Sequence, residues 1–104
     1  SPMNRGLQAA YVNRMLENSI QPVIVGMDMG ARPHEQPYSS FKMKWKDAGQ
    51  GSQSATWREG VPGDRMDYIF VLLNSRFRVG NYKVIARYPQ VSNRFPVMAN
   101  IEFW

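Results

Sequence analysis

The sequence feature that most constrains the fold is the stretch at residues 66–88, which combines two strand patterns. An apolar run at residues 68–73 leads through Asn74-Ser75 and Gly80-Asn81 into strict alternation. One side carries Tyr82, Val84, Ala86 and Tyr88, and the other carries Lys83, Ile85 and Arg87. A period of two, rich in aromatic and β-branched residues and bounded by Gly and Asn, indicates strands. The stretch therefore predicts antiparallel β-structure, and it informs on fold rather than chemistry.

The remaining elements extend this pattern along the chain. We expect an amphipathic helix at residues 4–19, with Leu7, Tyr11 and Met15 on its core face and Val12 and Leu16 beside them. Strands are predicted at residues 23–29, 38–46, 54–58, 67–73, 81–88 and 97–104, separated by Gly- and Pro-containing turns. Short strands at this spacing are typical of a β-sandwich or small barrel. The prediction is a mainly β protein: an antiparallel sandwich of about six to seven strands behind one helix.

One local motif favours the sandwich. The stretch Val79-Gly80-Asn81-Tyr82-Lys83-Val84 resembles the Gly-x-Tyr-x-Val signature that opens a late strand in immunoglobulin-like and fibronectin-like domains. The resemblance covers these six residues and implies a sandwich in which the tyrosine makes a corner through its hydroxyl. The Cys…Trp…Cys pattern of antibody domains is absent, and an N-terminal helix is not part of that fold.

Length and composition limit the possible classes. With 104 residues, the chain is expected to form one domain over residues 4–104. Ser1-Pro2-Met3 looks like a cloning remnant, so either Met3 is the native start or a leader has been removed. The absence of cysteine removes disulfides, thiolate metal sites and cysteine nucleophiles together. No stretch approaches the roughly 20 apolar residues of a membrane-spanning helix. Nothing in the sequence predicts a compartment.

No set of residues predicts catalysis. His34 is the only histidine, and a lone histidine in a Pro-rich loop cannot build a zinc site. Met27 and Met29 with His34 could bind Cu(I), although methionines on one strand face are more often core packing. Acid–base candidates are Asp28, Glu35, Asp47, Glu59, Asp64, Asp67 and Glu102, and no spacing selects a pair among them. We therefore expect no enzyme, cofactor, metal or small-molecule substrate.

Two surfaces are candidates for binding. Trp104, together with Ile69, Val71 and Leu73 on the second face of their strand, predicts apolar surface that either the helix or another protomer covers. Lys42, Lys44 and Lys46, extended by Arg58 and Arg87, form a basic stripe that could bind a polyanion such as nucleic acid or acidic glycan. The same lysines could simply protect an exposed sheet edge. A net charge of +5 permits polyanion binding without requiring it.

The sequence therefore predicts a non-enzymatic protein–protein interaction or assembly module, such as a subunit of a larger secreted, cell-surface or viral structure. The alternative is a basic, polyanion-binding module. The alternation also predicts that Trp45, Phe70 or its neighbour Val71, Tyr82 and Val84 are buried.

Overall fold

The fold is built from two helices and five strands in the described part of the chain. The computed structural model describes residues 2–50, 65–85 and 95–104, and for residues 2–7 it describes the backbone alone. The elements are α1 (Pro2–Leu16), β1 (Ile24–Asp28), α2 (Gln36–Phe41), β2 (Trp45–Asp47), β3 (Asp67–Leu72), β4 (Phe77–Val84) and β5 (Val97–Phe103). The predicted strand at 54–58 and the last residues of the strand at 81–88 lie outside the described residues.

Strand β3 is the centre of a three-stranded antiparallel sheet with the order β1-β3-β2. In the register with β1, Val25 lies opposite Phe70 and Met27 opposite Tyr68. In the register with β2, Trp45 lies opposite Leu72. Successive side chains of a strand point to opposite faces, so these residues share one face of the sheet. The apolar run that follows Met66 is therefore a central strand, as its composition predicts.

The core lies on that face, between the sheet and the two helices. Phe41 of α2 stacks on Trp45, with ring centroids 5.0 Å apart, and meets Phe70 at 4.7 Å. Aromatic pairs at these separations stabilise a core beyond the area they bury. The indole Nε1–H of Trp45 donates a 3.0 Å hydrogen bond to Asn13 Oδ1 of α1. The predicted burial of Trp45, Phe70 and Val71 is confirmed.

Helix α1 forms where the sequence predicts it but buries a different face. Tyr11 and Met15, predicted to face the core, are both exposed. The side chain of Leu7 lies outside the described residues. Val12 and Leu16, expected beside that face, pack against the core together with the buried Ala9. Their spacing is as helical as that of the predicted stripe. Periodicity alone could not choose between these two faces.

The predicted strand at 38–46 is wrong over most of its length. Residues 36–41 form α2, which Pro37 begins in the first helical turn, where its missing N–H is not needed. Only residues 45–47 are a strand. Positions four apart share a face in both a helix and a strand, so Phe41 and Trp45 satisfy either pattern. Met43, which alternation along the predicted strand would place on the core face with Trp45, is 81% exposed.

Strands β4 and β5 form a separate two-stranded antiparallel sheet. Its register has an irregularity between Val79 and Tyr82, at the Gly80-Asn81 pair. Tyr82 and Val84 are half-buried rather than buried as predicted. Antiparallel, mainly β architecture is thus confirmed. The immunoglobulin-like sandwich is not, because the described residues hold five strands and Tyr82 lies inside β4 with no hydrogen bond to its hydroxyl.

The second face of β3 is not covered by α1. The described part of α1 packs over the opposite face, against Trp45 and Phe70. This rules out the predicted alternative in which the helix docks over Ile69, Val71 and Leu73. On that face Val71 is fully buried, Ile69 is half-buried and Leu73 is exposed. Strand β5 contacts β3, and Trp104 at the chain end is 67% exposed.

Candidate functional site

Polar side chains gather at one end of the three-stranded sheet. Because the sheet is antiparallel, β1 and β2 end there and β3 begins there. Each of the three strands places an aspartate at that end: Asp28, Asp47 and Asp67. Arg65 lies just before β3. This end of the sheet is the candidate functional site.

A fully buried ion pair forms the floor of the site. Both guanidinium nitrogens Nη1 and Nη2 of Arg65 donate to the carboxylate of Asp47, each at 2.6 Å. The Tyr38 hydroxyl donates to Asp47 Oδ2 at 2.8 Å, and the Gly49 N–H donates to Oδ1 at 2.9 Å. Asp47 is 0% and Arg65 4% exposed. A buried pair of this kind is tolerated when its geometry is bidentate and further hydrogen bonds satisfy its polar atoms. Here the Asp47 carboxylate accepts four hydrogen bonds.

The environment fixes the charge state of this network. Burial alone would raise the pKa of Asp47, but the hydrogen bonds and positive charge of Arg65 outweigh it and hold the pKa below its usual range. Burial would lower the pKa of Arg65, and its hydrogen bonds and attraction to Asp47 raise it instead. Burial, with the hydrogen bond to Asp47, raises the pKa of Tyr38 to about 12. Near neutral pH, Asp47 is therefore ionised and Tyr38 protonated, and neither transfers protons.

Aromatic rings enclose the guanidinium group of Arg65. Its Cζ lies 4.7 Å from the centroid of the Tyr68 ring and 5.5 Å from that of Tyr82. The Tyr68 hydroxyl lies 2.6 Å from the carbonyl oxygen of Ala31 and 2.8 Å from that of Arg65. Burial raises the pKa of Tyr68 as well, so this hydroxyl is a fixed donor. The network thus joins the loop after β1 to the start of β3.

Gly49 is one of the places where the two sheets meet. A Cβ on Gly49 would overlap the ring of Tyr82 and the Nη2 atom of Arg65, so only glycine fits there. Tyr82 belongs to β4, and its ring therefore lies directly on the turn that follows β2. The Tyr82 hydroxyl and Arg65 Nε are buried, and neither makes a hydrogen bond among the described residues.

An open cleft of about 410 Å³ lies beside this contact. Residues 46–50 form one wall, and Val79, Gly80 and Tyr82 of β4 form the other. Lys46 Nζ donates to Gln50 Oε1 at 3.0 Å on the first wall. A second hollow, of about 130 Å³, lies between α1 and the end of β1, with Asp28 and Met29 in its lining.

Asp28 and Asp67 are the other two carboxylates that the strands place at this end of the sheet, and Asp67 is half-buried. They lie opposite each other in the register, so their side chains project from the same sheet face, and Asp28 is exposed. The neighbouring loop carries Glu35, whose Oε1 accepts a 2.6 Å bond from the Arg32 N–H and lies 3.6 Å from the Arg32 guanidinium. His34 is exposed on that loop.

The basic stripe does not lie on one strand. Lys42 follows α2 and its Nζ lies 5.8 Å from the Tyr38 ring centroid. Lys44 Nζ lies 3.4 Å from Glu17 Oε2, and Lys46 contacts Gln50. Arg58 and Arg87 lie outside the described residues. Polyanion binding by these residues stays a prediction, as does an interface at Trp104, Ile69, Val71 and Leu73.

Sequence reasoning missed the network because its members look like turn residues. Asp47 and Arg65 both stand beside Gly-containing turns, where polar residues are expected. The pairing of Asp28 with Asp67 depends on register, which is not readable from either segment alone. In the portions of the chain with described coordinates, no group of three or more His, Cys, Asp and Glu residues could hold a metal ion. Nor does any described helix have the length and apolarity to cross a membrane.

No protein-family model and no curated protein sequence matches the chain. Solved structures do share its fold, and three of them are described here. A conserved protein of unknown function from Enterococcus faecalis V583 superposes over 100% of the chain, with a TM-score of 0.83 and 18% identity. A mannosyl-6-phosphatase from Bacteroides thetaiotaomicron VPI-5482 superposes over 95%, with a TM-score of 0.72 and 21% identity. An endonuclease/exonuclease/phosphatase family protein from Bacteroides thetaiotaomicron superposes over 100%, with a TM-score of 0.76 and 20% identity.

These similarities overturn the predicted function class. Two of the three structures carry enzyme names, so the predictions of a non-enzymatic assembly module and of a protein that is not an enzyme are wrong. At 18–21% identity the likeness establishes the fold alone. The chain spans slightly less than half of each neighbour, between 44% and 46% of its length.

Proposed function

We propose that this chain is one lobe of a phosphoester hydrolase. The observation that carries the proposal is its superposition, over 95–100% of its residues, on a mannosyl-6-phosphatase and an endonuclease/exonuclease/phosphatase family protein. Both names denote cleavage of phosphate esters. The reaction proposed for this chain is hydrolysis, in which water attacks phosphorus, the ester P–O bond breaks and the leaving oxygen takes a proton.

Asp28 and Asp67 are the residues we assign to this reaction. A carboxylate near the attacking water can orient it and accept its proton. Asp28 is exposed at the end of β1, and Asp67 lies opposite it at the start of β3. Because they share a sheet face, both carboxylates could act on one reacting group. No other pair of carboxylates in the described ranges lies opposite each other in a strand register.

The same two carboxylates fit a magnesium ion. Mg²⁺ is commonly held by one or two protein carboxylates, while water and substrate phosphate complete its shell. Asp28 and Asp67 supply that number. When bound, the ion would neutralise charge that develops on the phosphoryl oxygens. Asp28 would remain accessible to substrate from solvent.

The buried network supports the site without taking part in the reaction. Asp47 and Arg65 fix the end of β2 to the start of β3, two residues before Asp67. Tyr68 fixes the loop after β1 through the Ala31 carbonyl. The role of this buried network is to hold the end of the sheet rigid, because two carboxylates can be placed precisely only on a rigid support. We further propose that the two sheets pack as a sandwich with a contact at Gly49. This packing would place β4 against the end of the three-stranded sheet that carries the site.

The proposal is tested by assays with mannose 6-phosphate, p-nitrophenyl phosphate and bis(p-nitrophenyl) phosphate, with and without Mg²⁺. Because the chain spans about half of its neighbours, a second sample is a hybrid protein. In the hybrid, this chain replaces the matching 46% of the Enterococcus faecalis protein. We expect phosphate release, and a fall in kcat/KM of at least about 100-fold in Asp28→Asn, the usual size of an acid–base contribution.

Glu102→Gln is the matched control, because Glu102 is an exposed carboxylate on β5, whose side chain pairs with Arg78. The control should keep full activity. No release of phosphate by the chain or by the hybrid would overturn the proposal. Activity that is indifferent to Asp28→Asn would overturn the assignment of the site.

A further inference from the structure

A lysine side chain lines the cleft of about 410 Å³ between the turn after β2 and strand β4. Lys46 is half-buried, and its Nζ donates a 3.0 Å hydrogen bond to Gln50 Oε1, a neutral acceptor. Within the described ranges, no carboxylate lies within ion-pair distance of Lys46, whereas Lys44 pairs with Glu17. An ammonium group carries three N–H donors, and the bond to Gln50 uses one of them.

The wall behind Lys46 adds hydrogen-bond donors and no net negative charge. Asp47 lines the cleft, but its carboxylate is buried and neutralised by the two hydrogen bonds from Arg65. The Arg65 Nε–H and the Tyr82 hydroxyl are buried and have no hydrogen-bond partner among the described residues. Buried donors without an acceptor cost free energy, and an acceptor oxygen nearby lowers that cost. The charge and the unmet donors of this wall therefore favour an anionic ligand.

The opposite wall of the cleft contains a β-bulge. Between the register pairs Val79–Ile101 and Tyr82–Ala99, β4 has two residues and β5 has one. Such a bulge leaves backbone groups outside the ladder and is common beside active sites. Gly80, one of the two bulged residues, lines the cleft and has no side chain to fill it. The face of the β4–β5 sheet that carries Val79 and Tyr82, its inner face, therefore borders an open space.

Lys46 projects from the sheet face that carries the two carboxylates assigned above. It lies opposite Val71 in the β2–β3 register, and Asp67 stands four residues before Val71 on β3. Positions an even number of residues apart point to one face, so Lys46 and Asp67 share a face, and Asp28 lies opposite Asp67. The bond to Gln50 places the ammonium group toward the turn after β2, at the end of the sheet where β3 begins.

We propose that the cleft binds a phosphate group of the substrate, held by the Lys46 ammonium and the side-chain amide of Gln50. Phosphate offers several acceptor oxygens and a negative charge, which match these donors. Its assignment to the substrate rests on the proposed phosphoester hydrolysis, whereas binding of phosphate rests on the cleft alone. The site uses one lysine in a cleft, so its ligand is a single phosphate group rather than a polyanion spread over a basic stripe.

Titration of the ¹⁵N-labelled chain with inorganic phosphate tests the binding. We expect saturable shifts in the amide signals of residues 46–50 and 79–82, and no such shifts with sodium chloride at the same ionic strength. Lys46→Met should weaken phosphate binding by at least about tenfold, because a hydrogen bond to a charged group is lost. Lys83→Met is the matched control, because it removes an exposed lysine from the other face of β4 and should leave the Kd unchanged.

Two further measurements keep this test decisive if Lys46→Met does not fold. Lys46→Arg retains the charge and should bind phosphate within about threefold of the wild type. The side-chain ¹³Cε signal of Lys46 in the wild-type chain should shift along with the amide signals. An unmoved Lys46 signal at saturation, shifts that chloride reproduces, or a Kd that is the same in folded Lys46→Met would each overturn the proposal.

The hybrid protein tests the role of this phosphate in the reaction. Lys46→Met should raise the KM for mannose 6-phosphate by at least about tenfold with little change in kcat, because binding common to substrate and transition state is lost. Lys83→Met should change neither. An active hybrid whose KM ignores Lys46→Met would overturn the assignment to the substrate. A hybrid that releases no phosphate would overturn the proposed function, while a Lys46-dependent titration of the chain alone would still establish the site.

Discussion

The two sides of this molecule differ in how completely they are packed. On the helix side of β3, aromatic rings fill the core and a buried ion pair closes its edge. On the β4–β5 sheet, every apolar residue of the inner face keeps some solvent contact. Cross-strand pairing can therefore order a sheet's apolar side chains into one face without burying them. Burial depends on a second layer, which the helices provide for one sheet only.

The largest difference between the two sides is expected at the buried Asp47–Arg65 ion pair. Asp47→Asn leaves the Arg65 guanidinium in the interior without its countercharge, and we expect a loss of about 3–5 kcal/mol in the free energy of unfolding. Glu102→Gln removes the exposed Arg78–Glu102 pair, and should cost at most about 1 kcal/mol. Urea unfolding of both variants measures the difference. Equal losses would show that burial does not distinguish these two pairs.

Tryptophan truncation gives the second contrast. Trp45→Ala removes a fully buried ring, its stacking on Phe41 and its bond to Asn13, and should cost about 3–5 kcal/mol. Trp104→Ala removes a ring that is largely in solvent, and should change the stability of the chain alone by less than about 1 kcal/mol. Thermal unfolding followed by circular dichroism is the measurement. A loss below 1 kcal/mol for Trp45→Ala would contradict the described core.

Alkaline pH should lower the free energy of unfolding through the buried tyrosines on the helix side of β3. The raised pKa of Tyr38, about 12 in the folded state, means that this phenol ionises first in unfolded chains, near its ordinary value of 10.0. Its stabilising contribution is present below pH 10 and is lost as the pH rises from about 10 to about 12. At 1.36 kcal/mol per pKa unit, the loss is about 2–3 kcal/mol.

Urea unfolding between pH 8 and pH 12 measures this loss. Tyr38→Phe should flatten part of the slope, and Tyr68, whose pKa is also raised, should supply another part. A wild-type stability that stays level up to pH 12 would contradict a protonated, buried Tyr38.

The smallest expected loss of stability comes from a substitution at Gly49, where the two sheets are in contact. Gly49→Ala forces the Tyr82 ring and the Arg65 side chain to shift, and should cost about 1–3 kcal/mol by overpacking. Gly26→Ala is the matched control, because a Cβ there meets nothing within 4 Å. It should be neutral or slightly stabilising, since alanine restricts the unfolded chain. If the two alanine variants are equally stable, Tyr82 does not lie on Gly49 in solution.

The sequence was sufficient for the parts of the fold that local pattern determines. The apolar run of β3 and the alternation of β5 predict strands, and the structure has them within one or two residues. The sequence pattern was insufficient where the same apolar spacing fits both a helix and a strand. Phe41 and Trp45 fit a strand and a helix equally, and only Pro37 favoured the helix that formed. The prediction of which face of α1 is buried was wrong for a related reason, because two apolar stripes of the helix share the helical period.

The candidate site was less predictable than the fold. Asp28 and Asp67 were recognised as carboxylates, but their pairing follows from the β1–β3 register, which the tertiary structure fixes. Asp47 and Arg65 gain their importance from burial, and neither residue type is usually fully buried. The proposed enzyme class came neither from the sequence pattern nor from the candidate site. It rests on similarity of the fold to two proteins that are 20–21% identical to this chain.

The place of β3 in the chain has a consequence for synthesis on the ribosome. Both strands that flank β3 precede it in the sequence, so β1 and β2 leave the exit tunnel before their shared partner exists. Translation proceeds at about 5–20 residues per second, which leaves Phe41 and Trp45 in contact with water for seconds. Chaperones that bind apolar nascent segments can bind during that interval. It closes when Leu72 emerges and the register with Trp45 can form.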